Sequence, residues 1–118
     1  MTAPMDEKRF LSNFVGLEDL IAPVINKFLE VSPSLMDQIR QSIAAKDPEA
    51  LRRCAHSFKG AVANFQTNTC IERARDLERI GEEKTLDSAP AAFRLLEEEV
   101  TRLAPILTRI AREYQDRK

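Results

Sequence analysis

Residues Leu51 to Phe65 read LRRCAHSFKGAVANF, and the apolar residues of this stretch recur every three or four positions. At about 100° per residue, that spacing gathers them on one face of an amphipathic helix. His56, the only histidine in the chain, lies roughly 150° from the centre of the apolar face on this geometry. The stretch therefore predicts a helix that buries one side and presents His56 to solvent. The apolar positions are Leu51, Cys54, Ala55, Phe58, Val62 and Phe65.

The neighbours of His56 on the exposed face are either cationic or small. They lie one turn before it, one turn after it or two turns after it, and they are Arg52, Arg53, Lys59, Gly60 and Ala63. The three cations are able to hold an anion, and the two small residues do not crowd an approaching molecule. An imidazole displayed in this way is suited to covalent chemistry on a ring nitrogen.

The length and composition favour one helical domain. A chain of 118 residues can enclose one hydrophobic core but not two, so we expect residues 1–118 to form a single domain. Three glycines, one tyrosine and no tryptophan favour helix over sheet. Turn signals divide the chain into helices expected at 6–15, 17–30, 33–46, 48–65, from 67 or 68 to a stop near Gly81, and from Ser88 through Tyr114.

Four prolines shape these expected helices. Ser32-Pro33 and Asp47-Pro48 each look like an N-cap followed by a proline at the first helical position, and so predict helix starts. Pro23 lies too deep in its expected helix for a first-turn proline, so it predicts a kink or a restart. Pro105 predicts a bend in the last helix.

The last expected helix carries a long apolar stripe with heptad spacing. Its members are Phe93, Leu96, Val100, Leu103, Leu107, Ile110 and Tyr114. A parallel coiled-coil dimer is one interpretation; the other, which we favour, is the long member of an antiparallel bundle, because the remaining helices also need apolar surface to bury. We predict an all-α fold: a four-helix up-and-down antiparallel bundle with a short additional N-terminal helix.

Composition also excludes several classes of protein. Hydrophobic residues make up 43% and charged residues 31%, as in soluble globular proteins. The net charge of −1 argues against non-specific binding of nucleic acid. No apolar run approaches the ~18 residues that cross a bilayer, and the N-terminus lacks a signal-peptide profile, so we expect a cytoplasmic protein that does not insert into membranes. We interpret Cys54 and Cys70 as small core residues, not as a disulfide or metal ligands.

The segment Ala-His-Ser-Phe-Lys-Gly at 55–60, followed by Asn64-Phe65 and later by Leu77-Glu78, resembles the histidine-containing phosphotransfer (HPt) family. That resemblance implies that His56 carries a phosphoryl group between receiver domains in a phosphorelay. It also implies that Glu78, on the next helix, hydrogen-bonds Nδ1–H of the imidazole and leaves Nε2 free. An imidazole has a reference pKa of about 6.5, so much of it is neutral near pH 7 and able to attack phosphorus.

Three further features of the motif carry predictions. Lys59 lies one turn from His56 and can pair with phosphoryl oxygens. Gly60 costs roughly 1 kcal/mol of helix propensity relative to alanine, which makes sense if it leaves space beside His56 for a partner. Arg52, Arg53 and Ala63 are possible partner-docking residues. Where the family usually has Gly-Ala between these helices, this chain has Gln66-Thr67, which leaves the path of the turn open.

The expected function is that of a phosphorelay intermediate whose partners are the receiver domain of a response regulator, of a hybrid sensor histidine kinase, or of both. The sequence has no glycine-rich ATP loop, so we expect a phosphoryl carrier without kinase or phosphatase activity of its own. We also expect the protein to be a monomer. We expect no cofactor or metal on this chain, the Mg²⁺ being held by the receiver. Alternatives are a helical adaptor in which His56 is incidental, the histidine-bearing domain of a chemotaxis-type kinase, and an enzyme that uses His56 with Glu78.

Overall fold

The structure, a computed structural model, describes residues 3–115 and is helical almost throughout that range. The five α-helices are α1 Glu7–Ser12, α2 Ile21–Ala44, α3 Pro48–Val62, α4 Asn68–Glu83 and α5 Ala89–Gln115. Short 3-10 turns lie at Glu18–Leu20, Ala63–Phe65 and Leu86–Ser88. α2 and α4 each pack against both α3 and α5, so the four long helices enclose one core. The predicted bundle with a short N-terminal helix is confirmed.

The apolar stripe of α5 is buried inside this chain. Phe93, Leu96, Leu103, Leu107 and Ile110 are all in the core, and Val100 and Tyr114 are half-buried against it. The helix continues through Pro105, which lies on its exposed side. The stripe therefore serves the bundle, as the favoured interpretation requires. None of the helices within residues 3–115 combines the length and the apolar character needed to cross a bilayer.

The prediction that Ser32-Pro33 begins a new helix was wrong. α2 is one helix of 24 residues with Pro33 in its interior. The restart predicted at Pro23 is confirmed, because the 3-10 turn Glu18–Leu20 gives way to α2 at Ile21. Pro23 therefore lies in the first turn of α2 and not deep in a helix, and its missing N–H costs no helical hydrogen bond there. The buried positions Phe28, Ser32, Met36 and Ile39 continue without a break past Pro33. Burying that stripe outweighs the cost of an interior proline, about 3 kcal/mol.

α3 begins where the sequence places it. Asp47 is the N-cap, its side chain accepts a hydrogen bond from the amide of Ala50 at 3.1 Å, and Pro48 occupies the first turn. The helix ends at Val62, earlier than the predicted Phe65, because residues 63–65 tighten into a 3-10 turn. Phe58 is fully buried, and its ring centroid lies 6.2 Å from that of Phe28 on α2. This packing fixes the rotation of α3 about its axis.

The path of the turn after α3, which the sequence Gln66-Thr67 leaves open, is defined in the structure. Gln66 adopts the left-handed conformation, with φ 55° and ψ 50°, which a glycine would take more easily. Its carbonyl accepts a hydrogen bond from the amide of Asp6 at 3.0 Å, and the hydroxyl of Thr67 donates to the carbonyl of Val62 at 3.2 Å. Thr67 is the N-cap residue of α4 by position, although its side chain makes no capping hydrogen bond. These contacts offset the strain at Gln66.

α4 ends near Gly81, as predicted, although Gly81 itself is still helical. The helix runs two residues further, to Glu83, and ends at Lys84, whose left-handed φ is 58°. Gly81 lies where α4 approaches the backbone of α3 closely: a Cβ built on it would lie 2.7 Å from the carbonyl oxygen of Pro48 and 2.8 Å from the amide nitrogen of Arg52. The absence of a side chain at Gly81 lets the two backbones meet.

The remaining expected boundaries differ by a few residues. α1 covers Glu7–Ser12, not 6–15, with Asp6 as the N-cap that accepts from the amide of Arg9, and the chain then turns through Gly16 at a φ of 82°. α5 starts at Ala89, directly after the expected Ser88. The cysteines are free, as interpreted: Cys70 is buried and Cys54 is half-buried. Burial, with a further contribution from Glu99, raises the pKa of the Cys70 thiol to about 12.

Candidate functional site

His56 projects from the outer face of α3. Its side chain is 65% exposed, while Ala55 and Phe58, on either side of it in the sequence, are fully buried. The rotation fixed by Phe58 therefore directs the imidazole away from the core, as the periodicity predicts. Most of the His56 side chain is therefore accessible from outside the bundle.

Glu78 on α4 holds the inner edge of the imidazole. Its Oε2 atom lies 2.6 Å from Nδ1 of His56, a short hydrogen-bonding distance. The Glu78 side chain is only 12% exposed, because it lies in the interface between α3 and α4. A carboxylate can only accept, so this contact places the imidazole proton on Nδ1 and leaves the lone pair on Nε2.

Lys59 reaches the same carboxylate. Its Nζ atom donates to Oε1 of Glu78 at 2.6 Å, so the two oxygens of one side chain bind two different residues of α3. The Lys59 side chain is 24% exposed. Lys59 was expected from the sequence to pair with phosphoryl oxygens; in the structure it binds Glu78.

Two opposing effects set the charge of Glu78. Burial in the helix interface by itself raises the pKa of this carboxyl group. The hydrogen bonds from Lys59 and His56, together with the charges of those groups, outweigh burial and hold the pKa below its ordinary value of 4.5. Glu78 is therefore ionised at neutral pH.

The space beside His56 is open. A Cβ built on Gly60, one turn further along α3, would have no atom within 4 Å. Ala63 is exposed in the following 3-10 turn. A partner can thus approach the imidazole along α3 and meet no side chain larger than a methyl group at these two positions.

The two arginines before His56 differ in their contacts. Arg52 pairs with Glu49 on its own helix at 2.6 Å and is half-buried. Arg53 is exposed and forms no ion pair with any residue in the range 3–115. Arg53 is therefore the cation near His56 that is available to a ligand. Within the same range, no three His, Cys, Asp or Glu side chains are grouped so that they could hold a metal ion.

The sequence did not reveal that His56, Lys59 and Glu78 form one hydrogen-bonded group. The spacing of three between His56 and Lys59 was the available signal, because it places both side chains on neighbouring parts of one helix face. Their shared use of Glu78 depends on the distance between α3 and α4, which Gly81 sets one turn further along α4.

The acid sensitivity of the fold provides a test of this group. Because the folded-state pKa of Glu78 is depressed, its stabilising effect is present above the unfolded-state pKa and is lost as the pH falls through the folded-state pKa. We expect Glu78→Gln to lower the free energy of unfolding by about 1.5 kcal/mol near pH 7. The difference from the unsubstituted protein should shrink steadily below about pH 4.5.

Urea titrations at several pH values measure this difference. Glu83→Gln is the matched control, because Glu83 is an exposed residue of the same helix and forms no ion pair with any other residue in the range 3–115. It should leave the free energy of unfolding within about 0.5 kcal/mol of the original value. A cost of Glu78→Gln that is equal at pH 7 and pH 3 would contradict the proposed charge state.

The fold and the site define a class of protein: a helical bundle that displays one histidine, backed by a buried carboxylate, for a partner to reach. The family model of the Hpt domain matches residues 23–105, most of the chain. A search of solved structures finds histidine-containing phosphotransfer protein B from Pseudomonas aeruginosa PAO1, with a TM-score of 0.82 and 24% identity over 100% of both chains. At that identity the likeness shows the fold. A search of curated proteins finds no match.

The chain belongs to the Hpt domain family. It is a histidine phosphotransfer protein of phosphorelay signalling, a phosphocarrier in a class whose partners include receiver domains. The resemblance inferred from residues 55–60 and from Leu77-Glu78 is confirmed.

Proposed function

We propose that His56 is the phosphoacceptor of this chain and that Nε2 is the atom that carries the phosphoryl group. The observation that supports this most strongly is the 2.6 Å contact between Nδ1 of His56 and Oε2 of Glu78. Since Nδ1 is already occupied by a buried carboxylate, the nucleophilic lone pair is the one that faces solvent. Of the two ring nitrogens, only Nε2 is placed for a partner to reach.

The transfer step then balances without another reactant. The Nε2 lone pair attacks the phosphorus of a receiver's aspartyl phosphate, the N–P bond forms, and the bond from phosphorus to the aspartate oxygen breaks and releases the free carboxylate. The proton on Nδ1 stays in place. The positive charge that develops on the imidazole ring is stabilised by Glu78, in the same way that a carboxylate orients and stabilises a catalytic imidazole elsewhere. The reverse reaction returns the phosphoryl group to a receiver.

The proposed partner is the receiver domain of a response regulator, of a hybrid sensor histidine kinase, or of both. This chain contributes the nucleophile, its orientation and the positive charge of Arg53, while the receiver contributes its own aspartate and the Mg²⁺ bound there. We propose that residues 1–118 act in the cytoplasm as one monomeric domain that has no kinase or phosphatase activity of its own and binds no nucleic acid. Burial of the α5 stripe within the chain supports the monomer.

A transfer assay tests the proposal. Receivers charged with labelled phosphate are freed of excess donor and mixed with the protein, and the protein is then analysed for label. The expected label is acid-labile and base-stable, as a phosphohistidine should be, and ring-nitrogen NMR should place it on Nε2. Absence of label with each of several receivers would favour the alternative, an adaptor in which His56 has no chemical role.

Gly60 supplies an independent prediction about the approach of the receiver. A leucine at position 60 would extend into the open space one turn from His56, so Gly60→Leu should slow transfer on the order of 100-fold through misplacement of the reacting groups. The same change should stabilise the helix by up to ~1 kcal/mol, because glycine is a poor helix former. Transfer rates and urea midpoints measure the two effects. A Gly60→Leu protein that transfers normally would show that the receiver does not approach along this face.

A further inference from the structure

The turn of α3 before His56 carries two arginines, and they lie on different sides of the histidine. At about 100° per residue, Arg52 lies roughly 40° from His56 on one side, and Arg53 lies roughly 60° from it on the other. The backbone of Arg52 meets Gly81, so the Arg52 side is the one that faces α4. Arg53 therefore shares the side of α3 that carries Gly60, where the space beside His56 is open.

Arg52 is already engaged within its own helix. Its Nε and Nη2 atoms donate to the two carboxylate oxygens of Glu49, at 3.2 Å and 2.6 Å, so the pair is bidentate. Glu49 also lies one turn before Arg53, but both of its oxygens are taken by Arg52. Arg53 is exposed, and its guanidinium has no hydrogen bond or ion pair within the part of the chain that the structure describes. Of the two arginines, only Arg53 has its guanidinium available to a ligand.

The imidazole of His56 is turned so that Nε2 points to the side of Arg53. Nδ1 points to Oε2 of Glu78 on α4, 2.6 Å away. The two ring nitrogens point in widely different directions in the plane of the ring, so Nε2 points away from α4. Helical side chains also lean towards the N-terminus of their helix, which places the imidazole over the turn that contains Arg53. Residues three apart on a helix are neighbours, so a phosphoryl group on Nε2 would lie within reach of Arg53.

A guanidinium is chemically well matched to a phosphoryl group. On phosphoserine, such a group carries about 1.5 to 2 negative charges near pH 7 and offers three acceptor oxygens. A phosphoryl group on a histidine nitrogen offers the same three oxygens. The planar fork of an arginine can donate two parallel N–H bonds to two of them, whereas a lysine supplies only a point charge. An arginine beside Nε2 would therefore stabilise the phosphorylated form of the chain relative to the unphosphorylated form.

We propose that Arg53 binds the phosphoryl group carried by His56 and thereby shifts the equilibrium of phosphoryl transfer towards this chain. This inference rests on the proposed role of His56 as phosphoacceptor. The contact forms in the free phosphorylated protein and does not require a bound receiver. Because it is exposed to solvent, we expect it to change the transfer equilibrium by about fivefold, the upper end of what an exposed ion pair contributes.

The transfer equilibrium distinguishes this role from a contact between Arg53 and the receiver. The equilibrium constant depends only on the free energies of the separate species, which are each protein with and without the phosphoryl group. A contact that exists only while the two proteins are bound changes the forward and reverse rates by the same factor and leaves the constant unchanged. A contact between Arg53 and the phosphoryl group persists after the proteins separate, so it changes the constant.

Two substitutions and one control carry the test. Arg53→Gln removes the charge and keeps an N–H donor, and Arg53→Lys keeps the charge without the planar fork. Arg94→Gln is the matched control, because Arg94 is an exposed helical arginine that forms no ion pair with another residue among 3–115. It lies on α5, which packs against α2 and α4. All three variants should be folded by circular dichroism and urea unfolding, since both positions are exposed.

The first measurement is the equilibrium constant of transfer with one receiver, obtained from the initial rates in both directions at about 0.1 M salt. We expect Arg53→Gln to lower it about fivefold, Arg53→Lys to lower it less, and Arg94→Gln to leave it unchanged. The effect of Arg53→Gln should shrink at about 1 M salt, because exposed charges are then strongly screened. An unchanged constant in Arg53→Gln, or an equal decrease in Arg94→Gln, would overturn the proposal.

The second measurement needs no receiver. Phosphoramidate is a small donor from which an imidazole nitrogen displaces ammonia, so it can phosphorylate the isolated protein. Nitrogen NMR of protein with isotopically labelled arginine should show that phosphorylation shifts the guanidinium resonance of Arg53 and slows the exchange of its N–H protons with water. The resonance is identified by its loss in Arg53→Gln. A guanidinium resonance of Arg53 that phosphorylation leaves unchanged would also overturn the proposal.

The outcomes distinguish failure of this inference from failure of the proposed function. If neither a receiver nor phosphoramidate labels the unsubstituted protein, His56 is not the phosphoacceptor and the role of Arg53 falls with it. If only phosphoramidate labels the protein, the guanidinium spectrum decides the role of Arg53. If a receiver labels the protein and Arg53→Gln has the same equilibrium constant, the phosphoacceptor role stands and the role of Arg53 is wrong.

Discussion

Replacing His56 with glutamine is expected to abolish uptake of phosphoryl label from a charged receiver, down to the background of the assay. An amide nitrogen is not a nucleophile, and the chain has no second histidine to replace the first. The fold should survive, because His56 is exposed and is not one of the core residues. The glutamine amide can still donate a hydrogen bond to Glu78, so the surrounding geometry is disturbed as little as a substitution allows.

Two controls make this result specific. Ser57→Ala removes the exposed hydroxyl next to His56 and should leave uptake of label unchanged. Urea unfolding of His56→Gln should give a midpoint close to that of the unsubstituted protein, since exposed substitutions usually change stability by less than about 0.5 kcal/mol. Label that persists in His56→Gln, or that is lost in Ser57→Ala, would show that His56 is not the phosphoacceptor.

Replacing Gly81 with alanine is expected to destabilise the protein by about 2 kcal/mol, which lowers the melting temperature by roughly 5–10 °C. The added methyl group would lie 2.7 Å from the carbonyl oxygen of Pro48 and 2.8 Å from the amide nitrogen of Arg52. These are backbone atoms of α3, so relief requires one helix to move away from the other. The overlap outweighs the gain in helix propensity, which is up to ~1 kcal/mol.

Gly60→Ala is the matched control, because it makes the same change in the interior of a helix where nothing lies within 4 Å. Differential scanning calorimetry should show a higher melting temperature for Gly60→Ala and a lower one for Gly81→Ala. Gly81→Ala should also slow transfer, since Glu78 lies one turn from the overlap and would be carried away from His56. A melting temperature of Gly81→Ala equal to or above that of the unsubstituted protein would contradict the close approach.

The features that could be predicted from the sequence are those with local causes. The start of α3 follows from a capping aspartate and a first-turn proline, and the outward direction of His56 follows from the spacing of its apolar neighbours. The Ser32-Pro33 signal is equally local, yet it failed. There the buried stripe of α2 packs against two other helices, and that packing overrides a signal that depends only on adjacent residues.

The site could be predicted only in part, for a similar reason. His56 was recognised from its motif, and the pairing of Glu78 with Nδ1 was expected from the resemblance and is present in the structure. The attachment of Lys59 to Glu78 was missed, because a lysine can extend in many directions and its choice depends on what the next helix offers. Gly81 was used only as a signal for the end of α4, since nothing in the sequence shows that a neighbouring backbone lies against it.

The meeting of α3 and α4 at Gly81 also has a mechanical consequence. The distance between these helices is limited by contact between their backbones. This backbone contact lies within one turn of Glu78, the carboxylate that binds the imidazole. The helix separation set by such a backbone contact does not change when core residues elsewhere are exchanged for others of similar volume. Such exchanges should alter how firmly the bundle holds together well before they alter the register between imidazole and carboxylate.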